Sequence, residues 1–136
     1  MKNARDLMTS PAKTLSPANT LNDAADELAR ANVGSMPIVD GGILVGIVTD
    51  RDIVVKGLAQ GHDPATTSVA EVATTGVVSV GPDADAAEVA RVLAEHQIRR
   101  VPVVEDAQVV GIISQADVAL ELDNSTAGEV VEQISK

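Results

Sequence analysis

Two short stretches carry the residue types from which this chain could build a site: Gly46-Ile-Val-Thr49-Asp-Arg-Asp52 and Gly111-Ile-Ile-Ser114-Gln-Ala-Asp117. Each sets a hydroxyl where an apolar, β-rich run gives way to a helical pattern, and a carboxylate three residues later, inside the first turn. Free backbone N–H groups and the helix dipole make such a junction attractive to anions. A Thr or Ser hydroxyl there can donate to a phosphate oxygen, and a carboxylate one turn on can accept from two vicinal sugar hydroxyls. Together they describe the phosphate and ribose of a nucleotide. The same spacing also serves as a helix cap, hydroxyl to backbone and acid back to the cap, and duplication copies caps as readily as sites. Both meanings stay open at this level.

The two stretches belong to an internal repeat. Laid on itself with a shift of 65 and no gap, Asp6–Asp52 meets Glu71–Asp117 with eleven identities over 47 positions, where composition alone gives roughly four. Pro17 meets Pro82, Pro37 meets Pro102, Gly46 meets Gly111 and Asp52 meets Asp117.

Around the motifs the pattern supplies the elements that must position them. Thr20-x-x-Asp23 and Asp85-x-x-Glu88 are helix starts, followed by apolar residues on one helical face: Leu21, Ala24, Ala25, Leu28 and Ala29, then Ala86, Val89, Ala90, Leu93 and Ala94. Each helix leads to two β-rich runs across a short turn, Met36–Val39 and Ile43–Val48 around Gly41-Gly42, then Val101–Val104 and Gln108–Ile113 around Asp106-Ala107. Pro37 and Pro102 suit a strand start or edge. A second helix follows in each half, about Asp50–Gln60 and Gln115–Leu122, and short extended segments near Lys13–Ser16 and Val77–Val80 precede the first helices. The unit is strand–helix–strand–strand–helix, twice. Gly61-His62-Asp63-Pro64 reads as the linker, with a short helix at Thr66–Ala73. The expected division is repeat 1 with its lead-in over 1–62, repeat 2 with a linker helix over 63–122, and a tail over 123–136 that Thr126-x-x-Glu129 can cap as a helix.

This order, with h-P-V/I-V, a turn and G-h-h-T/S-x-x-D given twice, resembles the tandem CBS-domain pair, or Bateman module, of the bacterial stand-alone type. The resemblance covers about residues 4–122. It implies an α+β fold of two βαββα units related by a pseudo-twofold axis and packed through their sheets, with ligand clefts between the halves. It implies a non-catalytic sensor of an adenine nucleotide (AMP, ADP or ATP) or, behind these, NAD or S-adenosylmethionine, with no cofactor required. Carried over residue by residue, the phosphate and ribose contacts are Thr49 with Asp52 and Ser114 with Asp117. Disc-like homodimers are common in the family. The alternative is a structural or protein-interaction module with empty or degenerate clefts.

The halves differ in charge. Arg99-Arg100 precedes the second proline strand where the first has Gly34-Ser35, and Asp50-Arg51 stands where the second has Gln115-Ala116. Arg51, Lys56, Arg99 and Arg100 lie at or near the motifs, either as phosphate neutralisers or as partners of surplus carboxylates. Unequal sites follow from the first alternative. Ile47 and Ile112 belong to the sheet core, with an edge along which a purine could lie; Pro37 and Pro102 complete the candidate ligand-binding set.

Bulk properties exclude several classes. Ten Lys and Arg against twenty Asp and Glu give a net charge of −10, and Phe, Tyr and Trp are absent, which opposes nucleic-acid binding and removes base-stacking platforms. No apolar run is long enough to span a bilayer and no export signal opens the chain, so a cytoplasmic location is the expectation. The chain has no cysteine, and its two histidines, His62 and His96, sit in no metal or His–carboxylate spacing. No nucleophile–base pair or glycine-rich phosphate loop is visible, and the expected partners are a small adenine ligand, a second copy of the chain and an effector protein of unknown kind.

Overall fold

A computed structural model of the chain describes residues 2–123; the expected tail helix falls outside the described residues. The described residues form two compact units, one of residues 13–77 and one of residues 2–12 joined with 78–123. Each follows the expected βαββα order, with its first strand reduced to a single bridge.

In the unit of residues 13–77, Thr20 caps α2 (Leu21–Ala31). Its hydroxyl accepts from the Asp23 N–H while the Asp23 carboxylate accepts from the Thr20 N–H. The helix ends on Asn32 in the left-handed region, a conformation asparagine tolerates better than most residues. It buries Leu21, Ala24 and Leu28 with Leu15, Met36, Ile38, Val48, Ile53, Val69 and Val72 in one apolar cluster. β1 (Ser35–Asp40) and β2 (Ile43–Thr49) form an antiparallel hairpin with a register shift at Ile38/Val39. A helical segment then runs from Asp50 to Gln60: α3 (Asp50–Asp52), a π-helical turn over Ile53–Gly57, and a 3-10 turn over Leu58–Gln60. The π-turn coincides with a tight approach, since a Cβ on Gly57 would stand 2.7 Å from Leu21 Cδ1.

The other unit repeats this plan. Asp85 caps α4 (Ala86–Glu95) by accepting from the Glu88 N–H. β3 (Arg100–Glu105) and β4 (Gln108–Ser114) pair with a register shift at Val103/Val104, the position equivalent to that in β1/β2. Residues 115–123 are helical and form α5. The core is Ala4, Val80, Ala86, Val89, Leu93, Val101, Val103, Ile113 and Val118.

The repeated prolines find a physical reason. Pro37 stands opposite Ile47 and Pro102 opposite Ile112, and both isoleucines spend their backbone groups on another segment, Ile47 with Thr74 and Ile112 with Thr9. Each proline is therefore in a non-hydrogen-bonded pair, where its missing N–H costs no ladder bond. On the outer edge Leu15 donates to the Pro37 carbonyl and accepts from Val39, while Val80 does the same with Pro102 and Val104. The expected extended segments are thus single parallel bridges rather than full strands.

The compact units do not follow the repeat boundary expected at 62/63. Residues 63–77 stay with the first repeat: Leu21 N–H donates to the Thr67 carbonyl, Asn22 to Pro64, and Val69 to Asn19. Of the expected helix at Thr66–Ala73, a 3-10 turn over Val69–Glu71 forms. The lead-in, with α1 (Ala4–Leu7) capped by Asn3 and Asp6, belongs instead to the second repeat. Ala4 donates to the Ala84 carbonyl, Arg5 to Pro82, and Thr9 exchanges two bonds with Ile112.

These two segments are themselves equivalent under the 65-residue shift, and each docks on the other repeat's hairpin. That docking explains the repeated glycines of the motifs. A Cβ on Gly46 would lie 3.2 Å from the Thr74 carbonyl oxygen, and one on Gly111 would meet Met8 Cγ at 2.7 Å.

Candidate functional site

Thr49 ends β2 and caps α3. Its hydroxyl accepts from the Asp52 N–H at 2.9 Å, and Asp52 Oδ2 accepts from the Thr49 N–H at 3.0 Å. Asp52 is 7% exposed. Burial of that carboxylate is compensated by two further partners: the Thr74 hydroxyl lies 3.4 Å from Oδ2, and Lys56 Nζ lies 3.1 Å from Oδ1. Both oxygens are engaged. The second motif begins the same way, with Ser114 Oγ accepting from the Asp117 N–H and Asp117 Oδ2 accepting from the Ser114 N–H, both at 3.2 Å. Among the described residues nothing further engages Asp117, which is half-buried. Both hydroxyls keep their own proton for donation, because each uses only a lone pair in its cap.

Of the two roles left open for the cations, pairing with a carboxylate is the one Lys56 takes, tied to Asp52 as an i,i+4 pair, while Arg51, between Asp50 and Asp52 in α3, is exposed. Arg99 and Arg100 flank the second motif: the Arg99 carbonyl accepts from the Gln115 N–H at 2.7 Å, and Arg100 pairs with Ser114 across the hairpin. Arg99 is exposed and Arg100 half-buried. At the corresponding place in the first repeat Asp50 lies over Gly34, where a Cβ would stand 3.3 Å from Asp50 Oδ2, and the Gly34 carbonyl accepts from the Asp50 N–H. The first motif is thus bordered by a carboxylate and the second by guanidinium-bearing residues.

Ile47 and Ile112 are half-buried, Pro37 and Pro102 buried. His62 and His96 are both exposed. Three residues escaped the sequence reading. Thr74 reaches the Asp52 carboxylate, Asp50 covers Gly34, and Glu121 accepts from the Lys2 N–H. Thr74 had a signal, because Thr9 and Thr74 are identical under the shift of 65. No group of three or more His, Asp or Glu able to hold a metal ion occurs among the described residues, and no helix there is long and apolar enough to cross a membrane.

Two capped hydroxyl–carboxylate motifs thus stand at equivalent places on duplicated βαββα units. The CBS domain matches residues 4–57 and again 69–124, and the chain belongs to that family, whose domain pairs are regulatory modules rather than catalytic domains. It is 39% identical over 136 residues to the CBS domain-containing protein YhcV of Bacillus subtilis, covering 99% of this chain and 96% of that protein. Among solved structures it resembles Hypoxic Response Protein I, a crystal structure with two coordinated zinc ions, at 40% identity and a TM-score of 0.81, covering 87% of this chain and 97% of the other. It also resembles the CBS domain pair of protein MJ0100 in complex with 5′-methylthioadenosine and S-adenosyl-L-methionine, at 31% identity and a TM-score of 0.76, covering 92% and 98%.

Proposed function

We propose that this chain is a regulatory module that acts through protein interaction, with its first hydroxyl–carboxylate motif spent on the fold and its second open to an adenine nucleotide or adenosyl ligand. The observation that carries this reading is the contrast between the two carboxylates. Asp52 has both oxygens engaged, whereas Asp117 offers an oxygen with no partner among the described residues, in a motif whose Ser114 and Gln115 pair through the backbone with Arg100 and Arg99. Ser114 and the arginines would take phosphate, and Asp117 the ribose hydroxyls. MJ0100, one of the pairs it resembles, is solved with adenosyl ligands. A ligand held there acts only through its different affinity for two conformations of the module or its assembly; we assign that assembly to a homodimer in the cytoplasm.

Calorimetry with AMP, ADP, ATP, NAD and S-adenosylmethionine tests this. The expected result is one binder, lost in Asp117→Ala and retained in Arg51→Ala. Heat with none of the panel, combined with full stability of the protein, would leave the interaction role alone. That narrower role has its own support, since both motifs already work as reciprocal caps and Val54 and Leu58 present exposed apolar side chains one turn apart.

A further inference from the structure

The duplicated motifs differ at one position whose effect the structure makes legible. Four residues after Asp52 stands Lys56; four residues after Asp117 stands Glu121. Lys56 Nζ reaches Asp52 Oδ1 at 3.1 Å. Glu121 lies one turn from Asp117, and its Oε1 accepts from the backbone N–H of Lys2 at 3.3 Å. The same helical spacing that pairs opposite charges in the first repeat sets two like charges in the second.

A carboxylate accepts through about four lone-pair positions. At Asp52 the Thr49 N–H and the Thr74 hydroxyl use Oδ2, and the Lys56 ammonium uses Oδ1. With Oδ2 filled, two vicinal hydroxyls of a ribose would both have to fall on Oδ1, which has room for two only once the ammonium is displaced. At Asp117 only the Ser114 N–H is engaged among the described residues.

Resting on the nucleotide reading of the second motif, we propose that Lys56 is a latch that closes the first motif to ribose, and that the Lys/Glu exchange at this position decides which of the two motifs takes ligand. Lys56 is thus a specificity-determining residue that acts through Asp52 without touching ligand. Asp50, over Gly34, adds a second selection: once unlatched, the first motif favours an uncharged nucleoside over its phosphate.

The test is a titration with AMP and, separately, with adenosine, followed at the backbone amide signals of Thr49 and Ser114. It compares the wild type, Asp117→Ala, and Asp117→Ala carrying either Lys56→Gln or Lys56→Glu. The Lys56 side chain is half exposed, so both changes leave the fold intact, and wild-type-like spectra away from the motif verify this. In the wild type only Ser114 should respond. In Asp117→Ala neither should. With Lys56→Gln added, Thr49 should respond to adenosine with affinity raised about fivefold or more, the size of a modest exposed ion pair, and more strongly to adenosine than to AMP. A silent Thr49 in both double variants, with Ser114 responding in the wild type, overturns the latch and leaves the nucleotide reading standing. A Thr49 response in the wild type equal to that of Ser114 also overturns it. Silence at both amides throughout removes the nucleotide reading and the latch together.

Discussion

Replacing Asp52 by alanine should cost the protein distinctly more stability than the equivalent Asp117→Ala. Asp52 is buried and serves three partners. Its loss leaves the part-buried Thr49 N–H without an acceptor, worth about 1–2 kcal/mol as a cap. The Thr74 contact is long and its donor exposed, and the Lys56 pair is half exposed, so each adds only about 0.5 kcal/mol. The total is about 2–3 kcal/mol. Asp117→Ala removes one cap acceptor at 3.2 Å, worth about 1 kcal/mol. For a chain of this size those figures correspond to falls in Tm of roughly 8 °C and 3 °C. Urea unfolding at neutral pH, with a common m-value for all variants, measures the difference directly. Equal losses, or a larger loss for Asp117→Ala, would refute the idea that the first motif is committed to the fold.

Two other expectations follow from local geometry. Both hairpin turns take positive φ at their two central residues, at Gly41 and Gly42 in the first repeat and at Asp106 and Ala107 in the second; Ala107, at φ 68, has neither glycine's freedom nor a polar side chain to compensate. Ala107→Gly should therefore stabilise by about 1 kcal/mol, and a fall in the urea midpoint would show the strain to be illusory. The Asp23 carboxyl is held below the ordinary aspartate value, first by accepting the Thr20 backbone N–H and next by the Asn19 side chain. Because its folded value is the depressed one, its contribution to stability is complete above the unfolded pKa of about 3.9 and is lost as acid is added through the lower folded value. Carboxyl NMR should find the midpoint low and Asn19→Ala should raise it; an unmoved midpoint would contradict the assigned cause.

The hairpins and their helices were legible in the sequence because they rest on local rules: period-two and 3.6-residue patterns, caps at Thr20 and Asp85, turns at Gly41-Gly42 and Asp106-Ala107. The carboxylate positions were legible too, as duplicated punctuation. The allotment of the lead-ins was not. Asn3–Thr9 and Ser68–Thr74 carry the same short helical signature, and no local preference says which hairpin each will meet; that choice is made by distant backbone bonds such as those between Thr9 and Ile112. Lys56 illustrates the same limit. Its charge left phosphate and carboxylate both open, and its spacing from Asp52 along one helical turn ties it to the carboxylate. Thr74 is marked by the repeat, but its partner was not legible, since tertiary docking across 22 positions of chain brings it to Asp52.

The exchange of lead-ins also sets an order of events. Residues 13–77 form a contiguous unit that is made within one stretch of translation. The segment ahead of it must wait, because Thr9 finds its strand only when Ile112 has been made, on the order of a hundred residues later, and closing so long a loop slows the search more than it weakens the product. Cutting the gene between the repeats would then yield a front fragment that keeps a segment with no seat and lacks the one it needs.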